Sequence, residues 1–146
     1  MNDTELIALL RRSHTIAVVG LSPQAERPSH RVAQYLLLQG YRVLPVNPMA
    51  AGQLILGQPC HASLEQAAAA LAAEGLRLDI VDVFRQSAEV PPLAEAAIAL
   101  GAATLWLQIG VAHPEAEARA TAAGLQVVSE RCLKIEHQRL LGLGVG

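Results

Sequence analysis

With 146 residues, the chain is long enough for one domain built around a single hydrophobic core. Hydrophobic residues make up 52% of it and aromatic residues only 3%, a composition typical of parallel strands covered by Ala-rich helices. A formal net charge of −2, with no basic block, argues against non-specific nucleic-acid binding, which needs a concentrated positive field.

The chain carries no recognisable targeting signal. Residues 1–12 lack the basic start and apolar centre of a signal peptide, and no apolar run approaches the roughly 18 residues that span a bilayer. The two cysteines, Cys60 and Cys132, are too few for a disulfide framework and form no CxxC pair. We therefore expect a cytoplasmic protein that contacts neither membrane nor nucleic acid.

The first elements form a helix, a strand and a second helix. Residues 1–14 predict a short helix with Leu6, Leu9 and Leu10 on one face. An unbroken apolar run over 16–19 follows, typical of a strand buried on both faces, and Gly20 ends it. After a polar loop, a helix is predicted from Pro28 to about residue 39, with Ser29 as its cap.

Strands and helices alternate along the rest of the chain. Residues 49–62 predict a looser region, and residues 142–146 a loose tail. The predicted strands cover 41–46, 78–84, 104–109 and 125–128, and the predicted helices cover 64–73, 90–100 and 114–124.

Five strands with helical crossovers predict an α/β fold, a doubly wound parallel sheet of Rossmann type in the order 3-2-1-4-5. We expect residues 1–146 to form a single domain. Ligands of such sheets bind beyond the carboxyl ends of the strands, at the switch point, here between the first and fourth strands.

The residues that follow each predicted strand are therefore the candidate site. They contain no nucleophile–base pair and no facing carboxylates, which predicts a binding surface and assigns no reaction. They are Gly20, Ser22, Arg27 and Ser29, then Asn47 and Pro48, then Arg85, then Gln108 and Gly110, and finally Glu130 and Cys132.

The first loop predicts a phosphate site. Free N–H groups at the helix start and a dipole of roughly half a positive charge favour an anion, and Arg27 and Arg31 add full charges. The loop is not a standard dinucleotide loop, since Gly20 is the only glycine between Thr15 and Gly40 and the P-loop pattern is absent. Asn47 and Pro48 stand where NAD binding requires an acid, so ordinary NAD binding is disfavoured.

Five motifs together resemble the small single-domain CoA-binding proteins of bacteria and archaea, and the resemblance runs from about residue 15 to residue 140. The motifs are Val18-Val19-Gly20-Leu21-Ser22-Pro23 with Arg27-Pro28-Ser29 and Val32; Gly40-Tyr41 with Pro45-Val46-Asn47-Pro48; Asp79-Ile80-Val81-Asp82-Val83-Phe84-Arg85; Trp106-Leu107-Gln108-Ile109-Gly110; and Cys132-Leu133-Lys134-Ile135-Glu136-His137.

That family is similar in fold to the CoA-binding domain of the succinyl-CoA synthetase alpha subunit. The resemblance implies that residues 20–29, including Leu21, hold the phosphates of coenzyme A. It implies that Asn47, Pro48 and residues 83–85 border the nucleotide, and that residues 108–110 line the other side of the crevice. Glu130 departs from the family, which more often has Asp at that position.

Other interpretations remain open at this point. Phe84 is expected as core or pocket lining, with stacking on adenine as the alternative. The alternative to binding alone is an enzyme acting on a CoA thioester or another nucleotide, with Cys132, Glu130 or His137 taking part. Cys60-His61 and Cys132 with His137 offer zinc-ligand types, but their spacing is wrong for a zinc finger. Apolar helix faces are compatible with a homodimer or a partner enzyme subunit.

Overall fold

Five short apolar strands form one parallel sheet in the computed structural model, which describes residues 1–142. The strands of this sheet are β1 (Thr15–Val19), β2 (Arg42–Val46), β5 (Ile80–Val83), β6 (Thr104–Leu107) and β7 (Gln126–Val128), while β3 (Leu54–Ile55) and β4 (Gln58–Pro59) form a separate antiparallel hairpin. The helices are α1 (Asp3–Arg12), α2 (Pro28–Leu38), α3 (Leu64–Ala73), α4 (Val90–Ala99), α5 (Pro114–Ala122) and α6 (Leu133–Leu141). The predicted tail lies, apart from Gly142, outside the described residues.

The predicted doubly wound fold is confirmed, and its order fits the 3-2-1-4-5 pattern with one reassignment. The sheet runs β2-β1-β5-β6-β7, and the third position, beyond β2, is taken by a parallel bridge between Val46 and His61. The strand counted third in the sequence is β5, which pairs directly with β1. The switch point therefore lies between β1 and β5, and not between β1 and the strand at 104–107.

The sheet is covered on both faces, which explains why its central strands are apolar throughout. Helices α3, α4 and α5 pack on one face, with Leu64, Leu71 and Ala94 in that core. Helices α1, α2 and α6 pack on the other face together with Trp106, which is fully buried. No helix within residues 1–142 combines the length and apolarity needed to cross a bilayer.

The last helix, α6, was not predicted from its sequence, and polar contacts fix it in place. The Tyr35 hydroxyl on α2 lies 2.7 Å from Nδ1 of His137, whose side chain is buried. The rings of Tyr35 and Tyr41 both meet the His137 ring edge-on. Arg139 donates to both carboxylate oxygens of Asp3, each at 2.9 Å, and so joins α6 to α1.

Replacing Tyr35 with Phe is expected to lower the free energy of unfolding by about 1–2 kcal/mol, because it leaves a buried His137 nitrogen without its partner. Urea denaturation measures the change. Leu38→Ala on the same helix is the control, since Leu38 is 79% exposed and its truncation should cost far less. Equal losses in the two variants would contradict a stabilising role for the hydrogen bond.

Candidate functional site

Gly20 lies where the ends of three strands meet. Its N–H donates to the Val46 carbonyl of β2 at 2.7 Å, and the Phe84 N–H after β5 donates to the Val19 carbonyl at 2.8 Å. Gly20 has φ +89°, and a Cβ built on it would lie 2.4 Å from the Phe84 carbonyl oxygen. Only glycine fits both the backbone angle and this contact.

Ser29 has a different role from the predicted one, and the prediction that it caps the helix is wrong. The N-cap of α2 is Arg27, and Pro28 occupies the first helical position, for which its fixed φ is suited. Ser29 therefore follows in the second position, where its hydroxyl oxygen accepts a hydrogen bond from the Ser22 N–H at 3.0 Å. This hydrogen bond joins the first turn of α2 to the loop between β1 and α2.

Asn47 fixes the same loop from the end of β2. Its side-chain amide donates to the Leu21 carbonyl at 3.0 Å, and its oxygen accepts from the Met49 N–H at 3.0 Å. Leu21 itself is buried in the core beneath α2. Both residues therefore help to hold the loop in place, and Asn47 also lines an adjoining cavity.

The smaller of two cavities at this edge has a volume of about 380 Å³ and lies against the start of α2. Arg27 is the one charged residue among those that line it within the described chain. The first turn of α2 contains no acidic residue to offset its dipole, so the positive potential there is unbalanced. Its lining is Gly20, Ser22, Arg27, Pro28, Ser29, Asn47 and Phe84.

The larger cavity, about 460 Å³, also touches Gly20 but lies on the side of α3 and α4. Its lining is mostly apolar, and includes Pro48 and Arg85 from the predicted site. Together the two cavities are lined by eight of the eleven predicted binding residues, and Gly20 is common to both. The other residues that line the larger cavity are Val19, Val46, Ala62, Ser63, Leu64, Glu65, Ala88, Glu89, Pro92, Leu93 and Ala96.

An ion pair between Arg85 and Glu89 lies at the larger cavity. The Arg85 Nε and Nη2 atoms donate to Oε1 of Glu89 at 3.1 and 2.8 Å. The hydrogen bond from Arg85 lowers the pKa of the Glu89 carboxyl. Sequence analysis missed Glu89, although the four-residue spacing of opposite charges at a helix start was a visible signal.

Leu21, Gln108 and Gly110 line neither cavity. Gly110 is exposed in the turn after β6, while Gln108 is 4% exposed and points into the core. Its amide Nε2 donates to Oδ1 of Asp82 at 2.5 Å, so the buried amide finds its partner on the neighbouring strand.

Asp82 is a fully buried carboxyl in the middle of β5, and sequence analysis did not single it out. A charged residue within an apolar strand was the signal that could have identified it. Its Oδ2 has no hydrogen-bond partner among residues 1–142. Burial raises the pKa of Asp82 to about 7, and the hydrogen bond from Gln108 offsets only part of the increase.

The raised pKa of Asp82 makes stability depend on pH. The folded state favours the protonated form of Asp82. The stability that this residue contributes is therefore fully present below its unfolded-state pKa and is lost as pH rises through about 7. Relative to wild type, Asp82→Asn should therefore gain about 2–3 kcal/mol in free energy of unfolding between pH 5 and pH 9. Urea denaturation across this range tests it. The exposed Glu115→Gln should show no such trend, and a difference between Asp82→Asn and wild type that is independent of pH would contradict the assignment.

No hydrogen bond joins the side chains of the three residues considered for catalysis within residues 1–142. His137 packs against Tyr41, at the amino end of β2, whereas Cys132 precedes α6. Glu130 is exposed with φ +56°, a left-handed conformation that short polar residues adopt more readily than Glu. Residues 1–142 contain no group of three or more His, Cys, Asp or Glu side chains placed to hold a metal ion.

Comparisons with known proteins agree with one another. A family model described as a CoA binding domain matches residues 14–138. The chain is 35% identical to YneT of Bacillus subtilis, described as uncharacterized, over 93% of this chain and 94% of that protein.

Solved structures show the same likeness. A Thermus thermophilus structure called cell-free ID.343 is 43% identical, with a TM-score of 0.86 over 97% of this chain and 100% of that one. A hypothetical protein from Pyrococcus horikoshii is 37% identical, with a TM-score of 0.86 over 97% of this chain and 94% of that one.

Proposed function

The chain belongs to the CoA binding domain family, and from this membership we propose that it binds coenzyme A or an acyl-CoA non-covalently across the two cavities that meet at Gly20. The observation that carries the proposal is the smaller cavity, where Arg27 and an uncompensated helix start face the same space. The pyrophosphate of the ligand occupies this cavity.

Several donors support the phosphate assignment. The Ser22 and Ser29 hydroxyl oxygens already accept hydrogen bonds from backbone N–H groups, which leaves their O–H groups free to donate to an anion. The N–H group of Ser29, which lines the smaller cavity, forms no hydrogen bond within residues 1–142. With the guanidinium of Arg27, these groups provide charge-assisted bonds of the kind that hold phosphate oxygens.

The larger cavity suits the adenine base. Its lining includes apolar side chains from α3 and α4 and the ends of β1 and β2. An aromatic base buries its faces against apolar surfaces of this kind. Pro48 and Arg85 border this space, in keeping with the expectation that residues 47–48 and 83–85 contact the nucleotide.

We propose binding without an assigned reaction. The chain would act as a carrier, a sensor or a partner subunit. The Tyr35 hydroxyl lies 2.7 Å from Nδ1 of His137 and the ring packs against Tyr35 and Tyr41, so we assign His137 no role as a general base for Cys132. Release of free coenzyme A thiol from acetyl-CoA, abolished in Cys132→Ser, would favour the enzyme instead.

Calorimetric titration with coenzyme A, acetyl-CoA and NADH tests the proposal. We expect both CoA compounds to bind at a single site and NADH to bind far more weakly, because the end of β2 carries Asn47 and no acid for the ribose hydroxyls. Tight NADH binding with no response to coenzyme A would contradict the proposal.

Arg27→Ala should weaken coenzyme A binding by about 1–3 kcal/mol, the range of hydrogen bonds to a charged group. The same titration measures the loss. Arg31→Ala is the matched control, because Arg31 is exposed on the next turn of α2 and does not line the smaller cavity. Equal losses in the two variants would show a general charge effect and remove Arg27 from the site.

A further inference from the structure

Arg85 lines the larger cavity and lies beside Gly20, the residue that both cavities share. Within residues 1–142 it is the one cationic residue lining the larger cavity, whose lining also contains the acids Glu65 and Glu89. Its Cδ atom lies 2.8 Å from the position that a Cβ on Gly20 would take. The stem of Arg85 therefore packs on Gly20, the residue that both cavities share.

The connectivity of the ligand places its ribose at the same point. In coenzyme A, the ribose joins the adenine base to the pyrophosphate. If the base fills the larger cavity and the pyrophosphate fills the smaller one, the ribose crosses the backbone at Gly20. Substituents on the ribose then lie within reach of the Arg85 guanidinium.

The guanidinium is held by a contact that a phosphate can replace. The side chains of Arg85 and Glu89 are 35% and 42% exposed, so solvent screens their attraction and the pair contributes little. A phosphate dianion offers more charge than one carboxylate and matches the fork of an arginine. Glu89 also accepts from the Gln86 N–H, so it keeps one partner when Arg85 turns away.

We propose that Arg85 binds the phosphate on the ribose of the ligand, the 3′-phosphate that distinguishes coenzyme A from dephospho-coenzyme A, and that this phosphate displaces Glu89. The inference rests on the proposed function and adds the residue that selects between the two ligands. Glu89 sets the strength of this selection, because it competes with the phosphate for the same guanidinium.

Calorimetry with coenzyme A and dephospho-coenzyme A tests the proposal on wild type, Arg85→Gln and Glu89→Gln. Wild type should prefer coenzyme A by about ten- to a hundredfold, as expected for a hydrogen bond to a charged group. Arg85→Gln should abolish the preference while keeping its affinity for dephospho-coenzyme A, which also shows that the variant is folded. Glu89→Gln should strengthen the preference, because it removes the competing carboxylate.

A second ion pair provides matched controls. Arg119 and Glu95 form a contact of 3.1 Å between α5 and α4, and neither residue lines the two cavities. Arg119→Gln and Glu95→Gln should leave the ligand preference unchanged. If wild type binds both ligands equally, or Arg85→Gln keeps the preference, the inference is overturned while coenzyme A binding stands. If wild type binds neither ligand, the proposed function fails and the inference fails with it.

Discussion

The close approach between Gly20 and the Phe84 carbonyl fixes the shape of the sheet edge at which the two cavities lie. A parallel sheet leaves the ends of its strands at one edge, but here the end of β1 lies directly against the residue that follows β5, with no side chain between them. Hydrogen bonds from Gly20 to β2 and from Phe84 to β1 fix this arrangement. Because Gly20 lines both cavities, a ligand that enters both has to pass beside this residue and the stem of Arg85.

Each of the two cavities is lined by one arginine, and the two arginines differ in whether they form an ion pair. Arg27 has no ion pair among the described residues, whereas the charge of Arg85 is already neutralised by Glu89. A free cation attracts an anion without losing a protein contact, while a paired cation binds only a ligand that outcompetes its carboxylate. In the proposals made above, the first arrangement provides affinity and the second provides discrimination between ligands that differ by one phosphate.

Sequence patterns predicted the fold class, because the apolar runs of β1, β2, β5 and β6 are local signals, as is Gly20 directly after β1. They also predicted eight of the residues that line the cavities, since those residues follow strand ends. The position of β5 beside β1 was not predictable, because the parallel bridge at His61 is a single contact without any periodic pattern. Ser29 was misassigned because Pro28 takes the first helical position and leaves Arg27 as the N-cap. The Asp82–Gln108 hydrogen bond could not be predicted because it joins positions 26 residues apart.

The hairpin of β3 and β4 bears on how this sheet avoids adding strands from other molecules. Unpaired N–H and C=O groups at a sheet edge favour aggregation by strand addition. Beside β2, the His61 N–H donates to Pro45 and the His61 carbonyl accepts from Asn47, each at 2.9 Å, while Gln58 of the hairpin accepts from Arg42. The opposite edge is β7, only three residues long. One edge is therefore covered and the other is short, so both edges present few unpaired backbone groups to a neighbouring molecule.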